Sequence, residues 1–463
     1  MTSKIFKYIF LIVAAAFTMA ACKVTQPYEA PELAATNLYR GQSTEDTTTA
    51  ADLKWTELFT DTILQRLISE GLSRNPDLQI AYTRIQQARA YYSQSKAAFL
   101  PSFDANAGFS AARLSDAQGL GMRNSATQYE LGIASSWEAD IWGKLKSSKK
   151  ASLASLLQTE AAARGVQTRL VADIATYYYS LMALDQQLDI IRQTVSNWDT
   201  TVQTMRLLKE SARVTEAAVV QSEAQRYAVE VTLPDLKQSI KETENALSIL
   251  LGSAPSAIYR GDLESQEVAS LLQTGVPAQL LANRPDVQEA ELNFRYYFEL
   301  TNVARTYFYP SLNITGSAGL SALSLETLFD PASFAASIGA GLTQPIFNRR
   351  VNKTRLEVAK AQQQEALLGF QNILLNAGRE VSDAISLYET AVDKINIRSK
   401  QMMALRNSVD YSQELLENGF ANYTEIITAR QSLLQAELGG VNDHLQQLQA
   451  VVNLYRSLGG GWK

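Results

Sequence analysis

The stretch VQTRLVADIATYYYSLMALDQQLDIIRQTVSNWDTTVQTM, residues 166–205, decides the architecture. Its apolar side chains fall at Val166, Leu170, Ile174, Tyr177, Leu181, Leu184, Leu188, Ile191, Val195, Trp198, Val202 and Met205. After the first step the intervals alternate four and three, the a/d seam of a coiled coil. Outward from this core, the run from Lys144 to Ala212 contains no proline and a single glycine, Gly165. One helix of roughly 65 residues is predicted, and at ~1.5 Å per residue it reaches about 100 Å. No compact soluble domain uses such a helix, so an elongated architecture is expected instead of a row of globular units.

Upstream, Lys4 and Lys7 precede an apolar run from Tyr8 to Ala21, with Cys22 directly after it. That order predicts a secretory signal over residues 1–21. Cys22 is the only cysteine, so no disulfide can form within the chain. Met19-Ala-Ala-Cys22 resembles a bacterial lipobox, which makes Cys22 the expected lipidation site. Several acyl chains at ~0.8 kcal/mol per buried methylene would anchor the chain stably. The formal charge of −5, with scattered Lys and Arg, argues against nucleic acid as a partner. No later window offers the 18 or more consecutive apolar residues of a transmembrane helix.

Residues 22–60 read as a polar arm. Helical pattern follows, and Pro101 ends it. The period then changes to two: Phe103, Ala105, Ala107, Phe109 and Ala111 share one face, Ser102, Asp104, Asn106, Gly108 and Ser110 the other. A second alternating run places Tyr129, Leu131, Ile133 and Trp137 together. Strands are predicted at about 102–112 and 128–137, then a helical hairpin over 143–251 kinked by Pro234. After a linker at 253–276 the chain repeats itself. A shift of 209 maps Pro76 to Pro285, Phe99 to Phe308, Pro101 to Pro310, Gly132 to Gly341 and Thr215-Glu216 to Thr424-Glu425. An internal duplication is the reading, with repeats at 61–252 and 277–458 and a short tail at 459–463. The second copy predicts strands at about 311–321 and 332–344 and a hairpin over 347–457. Its long seam does not superimpose at 209, where Leu170 falls on Arg379. A helix in a ring touches two neighbours, and a second seam accounts for the mismatch.

The fold class is therefore mainly α with transmembrane β. Four strands of about ten residues have bilayer-crossing length, yet four cannot close a barrel, and open edges are not tolerated in lipid. Closure demands an oligomer, and twelve strands from three chains leave a channel whereas eight do not. Aromatics at Phe99, Trp137, Trp142, Tyr307, Phe308, Tyr309 and Phe347 sit at strand ends, as an interfacial girdle would.

Eight stretches carry a family resemblance: Asn75-Pro-Asp-Leu, Phe99-Leu-Pro-Ser, Trp137-Glu-Ala-Asp-Ile-Trp-Gly143, Ala246-Leu-Ser-Ile-Leu-Leu-Gly252, Asn283-Arg-Pro-Asp286, Gln344-Pro-Ile-Phe347, Asn418-Gly-Phe-Ala-Asn-Tyr423 and Leu458-Gly-Gly-Gly-Trp462. In this order, from Cys22 to the C-terminus, they resemble the TolC-type outer-membrane efflux protein family in its lipoprotein branch. The resemblance implies a homotrimer with a 12-stranded barrel in the outer membrane of a Gram-negative bacterium and a periplasmic helical tube. It also implies a periplasmic adaptor and an inner-membrane transporter of the resistance-nodulation-division class as partners. Export of small toxic molecules is the expected function. The same duct in a type I protein secretion system, or a structural coiled-coil lipoprotein, are the alternatives.

Enzymatic chemistry is not expected. One histidine, His444, and one cysteine cannot assemble a zinc site, and His444 reads as a solvated helix residue. Gly319-Leu-Ser-Ala-Leu lacks the closing glycine of a nucleophile elbow and reads as a strand turn. No phosphate-cradling or dinucleotide motif is present, and no cofactor is expected. The long helices are expected to turn near Ala212–Thr215 and at Asn418-Gly419, with Gly419 as a left-handed C-cap. Thr215, Glu216, Gly419, Thr424 and Glu425 then mark a periplasmic gate. In a trimer the glutamates would place six carboxylates near one axis, able to bind divalent cations. They read equally as helix-start carboxylates favoured by the macrodipole. Related proteins often carry Asp beyond the turn, where this chain has Ala218 and Thr428.

Overall fold

Both long helices form, and each is 67 residues long. The computed structural model describes residues 24–31, 38, 50–113, 125–266 and 283–463. Cys22, the expected signal and parts of the arm and linker lie outside the described residues. In chain order the first half runs α1 (Trp55–Leu58), α2 (Thr62–Arg74), α3 (Pro76–Ala97), β1 (Ser102–Arg113), β2 (Ser125–Ala139), α4 (Lys144–Glu210), α5 (Glu216–Glu230) and α6 (Thr232–Leu250). The second runs α7 (Pro285–Thr306), β3 (Ser311–Ala322), β4 (Phe334–Thr343), α8 (Val351–Glu417) and α9 (Tyr423–Leu458). Pro234 is the third residue of α6, where its ring opposes the carbonyl of Glu230. The return helix breaks there, at Val231, while proline-free α9 runs unbroken for 36 residues.

The element starts correct the repeat. α7 begins 209 residues after α3, β3 209 after β1 and β4 209 after β2, but α8 begins 207 after α4 and α9 207 after α5. From the start of the second strand to the start of the long helix is 19 residues in the first half and 17 in the second. At 207 the seams coincide: Leu170, Ile174, Tyr177, Leu181, Leu184, Leu188, Val195, Trp198 and Val202 fall on Ala377, Val381, Ala384, Tyr388, Ala391, Ile395, Met402, Leu405 and Val409. The mismatch at 209 is a two-residue length difference, and no second seam is needed.

The chain divides into two compact units that cut across the repeats. One comprises Met1–Glu32, Ile85–Thr159 and Glu289–Phe370, the other Leu33–Arg84, Glu160–Gln288 and Gln371–Lys463. The first holds all four strands, in one antiparallel sheet of order β1-β2-β3-β4. The second holds the largest apolar core, where Leu64, Ile68, Ile174, Tyr178, Leu181, Met182 and Leu247 are 0–1% exposed. Asp61 caps α2 by accepting from the Ile63 and Leu64 amides at 2.7 and 3.4 Å. Its other oxygen accepts from the Tyr178 hydroxyl at 2.6 Å, which with burial raises that phenol's pKa.

The sequence motifs of this unit are packed in pairs. Asn75 Nδ2 donates to the Leu250 carbonyl at 2.9 Å, joining Asn75-Pro-Asp-Leu to Ala246–Gly252. Arg284 donates to the Ser457 carbonyl at 2.9 Å, and Trp462 Nε1 to that of Asn283 at 3.0 Å. Gly459 has φ +93°, and a Cβ there would lie 2.5 Å from the Asn283 carbonyl carbon. Only glycine ends α9 against that backbone.

Candidate functional site

Two places in the structure carry functional geometry, the sheet in one unit and the helical turns in the other. In the sheet, residues directly opposite share a face. Phe103 pairs with Ser135, Ala105 with Ile133, Ala107 with Leu131 and Phe109 with Tyr129. Leu131 pairs in turn with Leu320, Ile133 with Ala318 and Trp137 with Ile314. Leu312 then pairs with Leu342, Gly316 with Ile338 and Leu320 with Phe334. The four apolar runs thus form one continuous face. It is solvent-exposed on the isolated chain: Phe103 is 71% exposed, Ile338 85% and Leu342 66%. The opposite face carries Asp104, Asn106, Gln128, Glu130, Asn313, Thr315, Ser317 and Ser337, with Gln128 donating to Ser321 at 3.2 Å and the Ser317 and Ser337 hydroxyls 2.9 Å apart. Gly319 lies inside β3 and not at a turn, at a point where a Cβ would collide with the Leu131 carbonyl of β2. β1 and β4 are the sheet's outer strands.

Aromatics gather at one end of the sheet, where β1 and β3 begin and β2 ends. Trp137 Nε1 donates to the Phe99 carbonyl at 2.9 Å, and Trp142 Nε1 to that of Pro310 at 2.7 Å. Trp142 also lies against Tyr309, ring centroids 5.0 Å apart. Indoles with a satisfied N–H and an apolar body suit a membrane–water boundary.

In the other unit, α4 and α8 end alike. Gly419 is left-handed at φ +80°, with its amide donating to Leu416 and that of Phe420 to Leu415 at 3.0 and 2.8 Å. At the first turn the left-handed position is Ala212, φ +56°, with amides of Ala212 and Arg213 donating to Lys209 and Leu208 at 2.8 and 2.9 Å. Both are Schellman endings. Thr215 is the extended N-cap of α5 and makes no side-chain cap bond, whereas Asn422 caps α9 by accepting from the Thr424 amide. Beneath the turns Met205, Val219, Leu416 and Ile426 pack together, all under 7% exposed. A groove of about 570 Å³ opens between Arg213, Thr215, Gly419 and Tyr423.

The 207-residue offset separates the two expected gate glutamates. Glu216 is the first residue of α5 and Glu425 the third of α9, so Glu425 corresponds to Ala218 and the Thr-Glu dipeptides do not occupy equivalent positions in the two turns. Glu216 forms an ion pair with Lys209, while no ion pair involves Glu425 among the described residues. Both carboxylates are exposed.

Sequence reasoning missed the polar seam of the second hairpin. Asp443 is 2% exposed and bound by Lys394 and Arg398 at 2.8 and 2.9 Å. Burial pushes its pKa up, but the two cations outweigh that and hold it below the ordinary carboxylate value. The neighbouring His444 is half-buried and not fully solvated, and burial lowers its pKa against the pull of Glu264. Asp443 falls four residues after Gly439, a spacing that signals nothing until Arg398 is seen lying over that glycine. Among the described residues no group of His, Cys, Asp and Glu could hold a metal, and no helix is long and apolar enough to cross a membrane.

A sequence model described as outer membrane efflux protein matches residues 67–253 and 276–460. The solvent efflux pump outer membrane protein SrpC of Pseudomonas putida is 28% identical over 434 residues, covering 92% of this chain and 91% of that protein. The cation efflux system protein CusC of Escherichia coli O6:H1 is 27% identical, covering 97% of each. A membrane protein of Pseudomonas aeruginosa superimposes with a TM-score of 0.87 at 26% identity, over 95% of this chain and all of that one. The open state of the MtrE outer membrane channel of Neisseria gonorrhoeae shares the fold, with a TM-score of 0.84 at 24% identity over 96% and 99% of the two chains.

Proposed function

Because the chain belongs to the outer membrane efflux protein family, we propose that it is the outer-membrane exit duct of a tripartite efflux assembly. The observation that carries this is the sheet, with one apolar exposed face, one polar face and two outer strands, β1 and β4, that have no further strand beside them among the described residues. In lipid such edges must be closed. Three copies give twelve strands and a bore that passes water, with the polar face inward. The helical hairpins form the periplasmic tube. A periplasmic adaptor and an inner-membrane transporter of the resistance-nodulation-division class complete the machine, and acyl chains on Cys22 anchor it. The names of relatives, for solvent, toluene and cation efflux, favour small-molecule cargo over polypeptide. The function is transport, with no cofactor and no catalysis. Glu425 is the stronger gate carboxylate; Glu216, engaged by Lys209, serves the first hairpin.

Purified protein tests this. An unheated sample should migrate as a trimer, conduct ions in a planar bilayer and pull down a pump with its adaptor. A monomer without conductance would overturn the duct, and capture of a type I secretion ATPase would change its cargo.

A further inference from the structure

The sheet ends in each half with the same order of chemistry, apolar and then basic. Ile141 is 44% exposed, Ile346 fully exposed and Phe347 87% exposed. Directly after them come the first turns of α4 and α8. Residues 140–155 hold four lysines and one aspartate, and residues 346–361 hold five basic residues and one glutamate. These windows carry +3 and +4, in a chain whose formal charge is −5. The remainder therefore carries −12, so the two windows concentrate positive charge against the trend of the whole molecule.

Some of these cations are already engaged. Lys144 pairs with Glu138 at 2.8 Å, Lys150 with Glu299 at 3.5 Å and Arg350 with Glu357 at 3.2 Å. Lys146, Arg349 and Lys353 are exposed, and none of them forms an ion pair among the described residues. Arg355 lies over the Tyr307 ring, 3.8 Å from its centroid.

The backbone gives a second observation. Arg349 and Arg350 are adjacent non-glycine residues with φ of +54° and +70°. Side chains disfavour that region, and a pair is held there only where the surroundings demand it. The turn from β4 into α8 thus holds two arginines where glycine or asparagine would sit without strain.

We propose that these two clusters, around Lys146 and around Arg349, Arg350 and Lys353, bind the anionic headgroups of inner-leaflet phospholipids. The inference rests on reading the sheet as a membrane wall. Apolar side chains exposed beside cations match an acyl-to-headgroup boundary, and a water-filled bore would not select Ile346 or Phe347. Each cation near an anionic surface contributes about fivefold in affinity.

The test uses the full trimer in nanodiscs of mixed phosphatidylethanolamine and cardiolipin, with the retained lipid identified by native mass spectrometry. Cardiolipin should be enriched at least about fivefold over its bulk share. The variant Lys146→Gln, Arg349→Gln, Arg350→Gln, Lys353→Gln should lose the enrichment, and the charge-retaining Lys/Arg exchange at the same positions should keep it. Equal retention of both lipids by the parent overturns the inference, whatever the variants do. So does displacement of the lipid by inorganic phosphate, which marks a plain anion site. Unchanged enrichment in the Gln variant with altered ion selectivity places the cations in the bore and overturns it as well. A trimer that conducts without enrichment sinks this inference alone; failure to form a trimer sinks the duct with it.

Discussion

Arg213 Nη1 donates to the main-chain carbonyl of Glu417 across 2.9 Å. The guanidinium of the first turn thereby sits on the last carbonyls of α8, where a helix terminus favours positive charge. It ties the two turns by a hydrogen bond, above the apolar packing of Met205, Val219, Leu416 and Ile426. Arg213→Ala should raise single-channel conductance by loosening the tip, with trimer yield unchanged. Conductance equal to the parent's would show that the tie does not restrain the turns.

Glu425 and Glu216 should behave differently, since among the described residues only Glu216 has an ion-pair partner. Glu425→Gln should raise conductance and weaken any block by periplasmic divalent cations, whereas Glu216→Gln should change block little. Parental block in the double variant would leave a steric seal as the only gate.

The sheet register makes its own test. Leu131 lies opposite Ala107 and Leu320 on the apolar face, while Gln128 lies opposite Ser110 on the polar one. Leu131→Arg should cost ~2–4 kcal/mol near the bilayer midplane and reduce the unheated trimer band; Gln128→Arg should leave it intact. Equal tolerance would reverse the assignment of inside and outside.

Ala212 holds a left-handed position that Gly419 fills without strain. Ala212→Gly should stabilise the first hairpin by about 0.5–1 kcal/mol, and Gly419→Ala should destabilise the second by about 1 kcal/mol. Denaturant midpoints of the purified protein measure both.

Asp443 predicts a pH dependence. Its folded pKa is depressed by Lys394 and Arg398, so its contribution is present above the unfolded value of about 3.9 and is lost as pH falls through the folded one. Asp443→Asn should cost about 1–2 kcal/mol at pH 7, and the gap to the parent should begin to narrow below about pH 4 and close once pH is below the depressed folded value. A gap that persists there would mean the residue acts through packing instead of charge.

Much of this was legible in local pattern. The heptads of α4 and the two-residue period of the strands are written in neighbouring residues, and the register agrees with the phase read at Phe103, Leu131, Ile314 and Leu342. What failed was the alignment of the halves. The strands repeat at 209 and the helices at 207, and a chance Thr-Glu dipeptide in both turns hid the change. Contacts such as Asn75 with Leu250, 175 residues apart, leave no local trace, so paired motifs looked like separate ones. Asp443 drew no notice in the sequence for the same reason: Lys394 and Arg398 reach it from another helix.

The two outer strands of the sheet have a genetic consequence. A ring closed from three copies has no edge to spare, because β1 of each copy must find β4 of another. A copy with a ruined strand that still trimerises through its helices opens every ring it enters. Made in equal amounts, sound and ruined copies would leave only about one ring in eight intact. Damage to a strand should therefore be dominant over a normal second copy of the gene, whereas a chain that cannot associate at all should be recessive.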